Sequence, residues 1–430
     1  MNKLKGLNNA SLLFAFAMVF TSFGSVFYVS EAGAHGERNQ EPFLRMRTLH
    51  WYDVEFKHAD GRPFIDGEEL KVNEEFVMTG KVRFFGRWPR QLPPPELVYL
   101  NAASPGPVFV KKETWLNGKP AIQSSPAVLG RDYDFKVVLV ARVPGKHHIH
   151  PMINVKDASG LVGPGIWTNV TGSWEDFTYP VKTLTGQEVE DLDVYGLEGV
   201  RNWTLLWVGV ALFWLLWWFR KPLIIPRGLL VKAKRESSLV TATDKKVAIF
   251  LLAGIVFVVI FGAKVTSEKY PRTIPLQAGI AEIDPLPLAE ESVKTDVKSA
   301  TYYLPGRTVK VSFEVTNNSS QAVRLGEFSS ANLRFIDKSF SRAIESVTDN
   351  YPEEYIPKNG LLVNDRIWIH PGETQLVSIE ATDAAWEVER LSSFMHDPDS
   401  TFGALLIFYS DENERYVSEL YGPIVPTFQD

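Results

Sequence analysis

Asp134-Phe135-Lys136-Val137-Val138-Leu139-Val140-Ala141-Arg142-Val143-Pro144-Gly145-Lys146-His147-His148-Ile149-His150-Pro151-Met152-Ile153-Asn154-Val155 decides both the fold and the place where chemistry can sit. The first half is β-branched and apolar, Pro144-Gly145 brings turn chemistry, and His147 to Val155 is expected as the returning strand. On a strand, residues two apart share a face, so His148 and His150 project together while Ile149 points the other way. His147 shares the parity of Ile149 and is left out of the site.

Working outward, short candidate strands such as Phe76 to Phe84 and Val108 to Lys112 are separated by Pro, Gly and Asn clusters, the pattern of a sandwich or barrel. Thr308 to Val315 repeats the alternation before the Asn317-Asn318 turn, which predicts a second β-sandwich over 298–430. Between these regions, Trp203 to Phe219 and Val247 to Ala263 are apolar runs flanked by Arg220-Lys221, Lys246 and Lys264. Each is near the lower end of the roughly 17 to 25 residues that span a bilayer. Two such runs in one chain favour membrane helices over buried core helices. The loop between them carries Arg220, Lys221, Arg227, Lys232, Lys234, Arg235, Lys245 and Lys246 against Glu236 and Asp244, which places it in the cytoplasm and both β regions outside. Pro271, Pro275, Pro285 and Pro287 predict an extended linker over 266–297. The expected class is mainly β with a membrane helical hairpin: a signal peptide at 1–34, a first β domain at 35–199, two helices within 200–265, the linker, and a second β domain.

The export signal bears directly on the histidines. Lys3 and Lys5, the apolar run Leu12 to Phe20, and the small residues Ala32 and Ala34 have the layout of a secretory signal cleaved before His35. An uncleaved anchor is the competing reading, since apolar character resumes at Val26 to Val29. Cleavage leaves His35 with a free α-amine beside its imidazole. With His148 and His150, four neutral nitrogens are then available in a roughly planar set, the environment that Cu(II) prefers. The chain of 430 residues has no cysteine, which removes thiolate sites, blue copper and disulfides. Its net charge of −6 gives no argument for nucleic acid. Zinc is the rival metal, without a carboxylate base of the HExxH type to support it, and an exposed polar strand edge is the bland reading of HHIH.

Several stretches together resemble the B subunits of the particulate methane and ammonia monooxygenases. They are His35-Gly36-Glu37, Phe43 to Asp53, Pro105 to Phe109, the HHIH segment, Asn154-Val155, Gly163-Pro164-Gly165 and Leu184 to Gln187. The resemblance implies a copper-dependent membrane enzyme that inserts one oxygen atom of O2 into ammonia, methane or a short alkane. It also implies assembly with the A and C subunits as a trimer of heterotrimers and a cupredoxin-like fold for both outer domains. The implied location is the cell or intracytoplasmic membrane, with membrane lipid and small gaseous substrates as further contacts. The family's copper ligands fall on His35, His148 and His150, and Glu37 is a candidate to orient water or a ligand imidazole. A second bis-histidine position found in some methane-type members aligns with His50, but its other half falls on Arg83, which stays protonated and cannot ligate. No second site is expected.

His58 in a polar loop, His370 before Pro371-Gly372, and Met395-His396 read as structural, so the second β domain is expected to be metal-free and to serve assembly. A membrane-tethered copper-binding or delivery protein needs the same histidines and stands as the alternative function. A zinc hydrolase is a more distant one. Substrate choice is not legible: HHIH leans toward ammonia-type members and His50 toward methane-type ones.

Overall fold

Where apolar and polar residues alternate, the chain forms strands, and it pairs them into two sandwiches with a helical pair between them in sequence. The structure is a computed structural model that describes residues 42–158, 160–183, 186–270, 279–287, 292–364, 367–384, 386 and 400–428. A single helical turn over Pro42–Arg45 leads into β1 (Leu49–His58), β2 (Glu69–Lys71), β3 (Glu75–Phe84), β4 (Val98–Ala103), β5 (Phe109–Leu116), β6 (Lys119–Pro120), β7 (Arg131–Ala141), β8 (Gly145–Val155), β9 (Gly160–Val162) and β10 (Ile166–Thr171). One sheet runs β1-β3-β7-β5-β6. The facing sheet runs β2-β10-β8-β4, with β9 on β8.

This topology corrects one expectation. β8 does not return beside β7 as a hairpin partner but crosses to the opposite sheet, between β10 and β4. Pro144 has no N–H with which to continue the ladder, and the N–H groups of Arg142 and Val143 both turn to the Val108 carbonyl, at 3.0 and 3.2 Å. Ile149, Ile153 and Val155 then fill the core, at 0, 1 and 3% exposure. His148 and His150 therefore lie on the outer face of the second sheet.

After β11 (Val181–Lys182) and β12 (Glu188–Val189), the two apolar runs lie inside longer helices, α1 (Leu197–Phe219) and α3 (Ala242–Lys269), with the short α2 (Ile225–Lys232) between them. At about 1.5 Å per residue both exceed the ~30 Å hydrocarbon core. Both are long and apolar enough to cross a membrane, and no residue of α1 is buried within the protein. They pair antiparallel. Trp203 near the start of α1 lies against Gly262 near the end of α3, while Trp217 Nε1 and Lys221 Nζ at the other end donate to Asp244, at 3.0 and 2.8 Å. Asp244 also closes a capping box with Thr241. A residue that reads as one of two loop acids in sequence thus ties the two helices together.

Within the expected linker the helix continues to Lys269, and the next strand opens at Val293. Residues 279–287 lie along the first sandwich, where the Leu286 N–H meets the Asp132 carbonyl at 2.9 Å and Ile283 enters the core. The second sandwich comprises β13 (Val293–Tyr303), β14 (Thr308–Asn317), β15 (Val323–Ser330), β16 (Leu333–Ile336), β17 (Leu361–Val363), β18 (Thr374–Thr382), β19 (Thr401–Ser410), β20 (Arg415–Pro423) and β21 (Val425–Thr427). Its sheets run β17-β18-β14-β13-β21 and β16-β15-β19-β20.

The two sandwiches pack directly on one another. Arg415 Nη1 reaches Asp53 Oδ1 at 2.7 Å, and Asn350 Nδ2 donates to the Phe56 and Phe64 carbonyls, both at 3.1 Å. Tyr351, from the β16–β17 connection, is buried in the core of the first sandwich.

Candidate metal centre

β8 delivers the two expected imidazoles to one place. The rings of His148 and His150 stand 4.4 Å apart, edge to face at 74°. β10 sets the orientation of the first: Trp167 is registered opposite His148, and its indole stacks on the imidazole at 4.6 Å. The segment between β9 and β10 sets the second, because His150 Nδ1 lies 2.9 Å from the Gly163 carbonyl. A carbonyl only accepts, so Nδ1 carries the proton and Nε2 is left with its lone pair.

Gly163-Pro164-Gly165 has to be built from small residues. A Cβ on Gly165 would stand 2.5 Å from His150 Nδ1, and one on Gly163 would stand 2.8 Å from the Trp51 ring. Only a glycine backbone can come this close to the imidazole.

Electrostatics keep both rings neutral. Burial depresses His150 to about 4, with the neighbouring His148 adding to the effect against the opposing bond to Gly163. Burial lowers His148 as well. A neutral imidazole is the form that ligates.

His148 Nε2 is buried and makes no hydrogen bond, although Glu354 Oε1 is 3.1 Å away, because the carboxylate is not aligned to accept from it. A lone pair facing a carboxylate is repelled, and a buried N–H without an acceptor is costly. The metal-free arrangement thus leaves His148 unsatisfied with its proton on either ring nitrogen, and two neutral imidazoles on one face fit a transition-metal ion that prefers such donors. Among the described residues no group of three His, Asp or Glu side chains is arranged to hold a metal, and the pair needs donors from elsewhere. His35, expected to supply an amine and a ring, lies outside the described residues, as does Glu37.

The remaining histidines have partners of another kind. His147 points to the core side, and its Nε2 donates to the Val143 carbonyl at 2.9 Å. His50 is buried against Phe85 and donates from Nε2 to the Met46 carbonyl at 2.9 Å. Directly across the β1–β3 ladder from His50 stands Arg83, whose Nε meets Asp132 Oδ1 at 2.7 Å in a two-pronged pair. His58 packs tilted against Phe64, and its buried Nε2, like that of His148, lies close to a carboxylate, Glu68 at 3.2 Å, but no second imidazole stands beside it among the described residues. His370 sits in the turn closed by Glu373. Met395 and His396 lie outside the described residues.

A profile of the monooxygenase B-subunit protein family matches residues 36–428. The chain belongs to the monooxygenase B-subunit family. It is 41% identical over 405 residues to the particulate methane monooxygenase alpha subunit of Methylococcus capsulatus, a match covering 94% of each chain. Among solved structures, the cupredoxin domain of amoB from Nitrosocaldus yellowstonii overlaps 30% of this chain and 91% of its own, at 14% identity and a TM-score of 0.23. A PapD-like domain of human CEP192 overlaps 36% of this chain and 99% of its own, at 11% identity and a TM-score of 0.18.

In this member of the family, three contributors to the site carry no local signal in sequence. Trp167 is one aromatic among many until β10 is placed beside β8. Glu354 and Tyr355 belong to the other sandwich; Tyr355 accepts the Gly165 N–H on its hydroxyl at 2.9 Å. The glycines of Gly163-Pro164-Gly165 stand out in sequence only through the resemblance.

Proposed function

We propose that this chain is the copper-binding B subunit of a membrane-bound monooxygenase complex that uses O2 to hydroxylate ammonia, methane or short alkanes. Copper is held by His148, His150 and the ring and α-amine of His35. The observation that carries the reading is the pair of neutral, face-sharing imidazoles on β8, one oriented by Gly163 and the other by Trp167. It draws further support from membership of the monooxygenase B-subunit family.

Copper, when bound, supplies the O2 chemistry that amino-acid side chains lack. The chain's own residues prepare for it. Gly163 fixes the His150 tautomer so that Nε2 faces outward to a ligand, and Trp167 restricts rotation of His148. Burial keeps both imidazoles uncharged.

The location we propose is a cell or intracytoplasmic membrane, with both sandwiches on the outer face. Two crossings return the chain to the side it started from, and sandwiches in direct contact must lie on one side. The basic residues between α1 and α3 favour the cytoplasm for that loop. The A and C subunits are the proposed partners, in a trimer of heterotrimers. The absence of any buried residue in α1 agrees with other membrane proteins or lipid around it.

Purification from native membranes tests the proposal, with metal analysis and O2-dependent oxidation of ammonia, methane and ethane measured in parallel. Copper, two hydrophobic partner subunits and oxidation of at least one substrate are expected. A single polypeptide that binds copper without oxidising any of them would point instead to a delivery protein, and zinc without copper would overturn the metal assignment.

A further inference from the structure

His148 has its nearest charged neighbour on the other sandwich. Glu354 sits in a single 3-10 turn, Glu353–Tyr355, between β16 and β17, and its Oε1 is 3.1 Å from the buried His148 Nε2. The turn is held where it is by several independent contacts. Asn350 caps the Phe56 and Phe64 carbonyls, Asn332 Nδ2 donates to the Val162 carbonyl at 3.0 Å, and Tyr351 is buried in the first sandwich's core. Tyr355 takes the N–H of Gly165, the residue whose missing Cβ makes room for His150. Residues 354 and 355 therefore reach His148 itself and a support of His150.

We infer that Glu354 is, beside Trp167, a positioning residue for His148, so that the metal centre is built from both sandwiches and not from the first alone. The inference rests on the reading of His148 and His150 as copper donors. Histidines that ligate a metal commonly have a carboxylate or carbonyl at the ring, and that partner fixes orientation and raises ligand basicity. His150 has such a partner in Gly163. Glu354 fills the same role for His148 by accepting the hydrogen bond of a protonated Nε2, which leaves Nδ1 as the nitrogen for the metal. Half of its side-chain surface remains exposed, at 47%, so it can realign when the imidazole takes up a metal. In the present geometry the contact is poorly directed, as such contacts often are before the ligand is bound. The second sandwich thus contributes more than assembly: its docking brings a negative charge to the metal site, and a bound cation favours that docking.

The test uses the intact complex, stripped of metal and reloaded with Cu(II), comparing wild type with Glu354→Gln, Glu353→Gln and His148→Ala. Copper affinity, the copper EPR spectrum and the melting temperature of the metal-free complex are measured for each. Glu354→Gln is expected to weaken copper binding by about tenfold or more and to shift the EPR hyperfine splitting, with metal-free melting unchanged. Glu353→Gln, on the same turn, is expected to match wild type. If Glu354→Gln matches wild type in affinity and spectrum while His148→Ala abolishes the signal, the positioning role is wrong and the metal reading survives. If Glu354→Gln lowers metal-free melting with an unaltered spectrum, the residue is only part of the clasp between sandwiches. If the signal survives in His148→Ala, the underlying metal reading fails and this inference with it.

Discussion

His150 and His50 are close to twins by local criteria. Each is on a strand of the first sandwich, burial depresses each to about 4, and each has one ring nitrogen 2.9 Å from a backbone carbonyl. They differ in what stands beside them. His150 has a second imidazole two residues along the same strand face, with its ring 4.4 Å away, whereas His50 has a guanidinium opposite it across the ladder, committed to Asp132. A buried, neutral histidine is therefore not in itself a ligand. The neighbour decides: a second imidazole adds a donor, and a guanidinium committed to Asp132 adds none.

The largest expected contrast comes from deleting each histidine. Replacing His148 and His150 together by Ala should reduce copper at this centre to background by metal analysis, whereas His50→Ala should keep the copper. The latter should instead lose about 1–3 kcal/mol of stability, because a buried hydrogen bond goes with it; copper loss in His50→Ala would break the comparison.

Next comes Gly165→Ala. Its Cβ would stand 2.5 Å from His150 Nδ1, so the ring must move off the Gly163 carbonyl. We expect copper affinity to fall about tenfold or more, as for loss of any partner that orients a ligand. Competition titration checks this, and unchanged affinity would mean that the Gly163 bond does not set the donor.

A subtler test turns one twin into the other. R83H places an imidazole opposite His50 and removes the cation, so the variant should take up additional, weaker copper while losing about 1–3 kcal/mol of stability as Asp132 loses its partner. Metal stoichiometry and denaturant melts read the two effects separately.

The final contrast is in acid stability. In the metal-free protein, His50 and His150 bind more protons unfolded than folded between about 4 and the ordinary value of 6.5. The stability they retain above 6.5 is therefore lost as pH falls through this window, at up to about 1.4 kcal/mol per pH unit for each. His50→Gln should remove one share of that slope and leave the other.

Much of this architecture is legible in sequence, for identifiable reasons. Period-two alternation is strong over Phe76 to Phe84 and Thr308 to Val315, and the apolar runs of α1 and α3 are too long to mistake. The strand containing HHIH and the common face of its two histidines can be placed because parity is a local property. The partners of that strand cannot. Whether a strand returns beside its predecessor or crosses to the facing sheet depends on where Ile149 and Ile153 find a core, and no window around Pro144-Gly145 contains that information. The same limit hides Glu354. Nothing in Tyr351-Pro352-Glu353-Glu354-Tyr355 suggests a histidine partner, since the contact exists only once the second sandwich is docked on the first. Arg83 opposite His50 is reached through the resemblance, and the β1–β3 register explains why that pairing matters.

The imidazoles of His148 and His150 are proposed to share a copper ion. Anomalous diffraction at the copper absorption edge, from crystals of the natively purified complex, tests this most directly. A copper peak is expected between those two rings; a copper peak beside His50 with none at His148 and His150 would overturn the assignment.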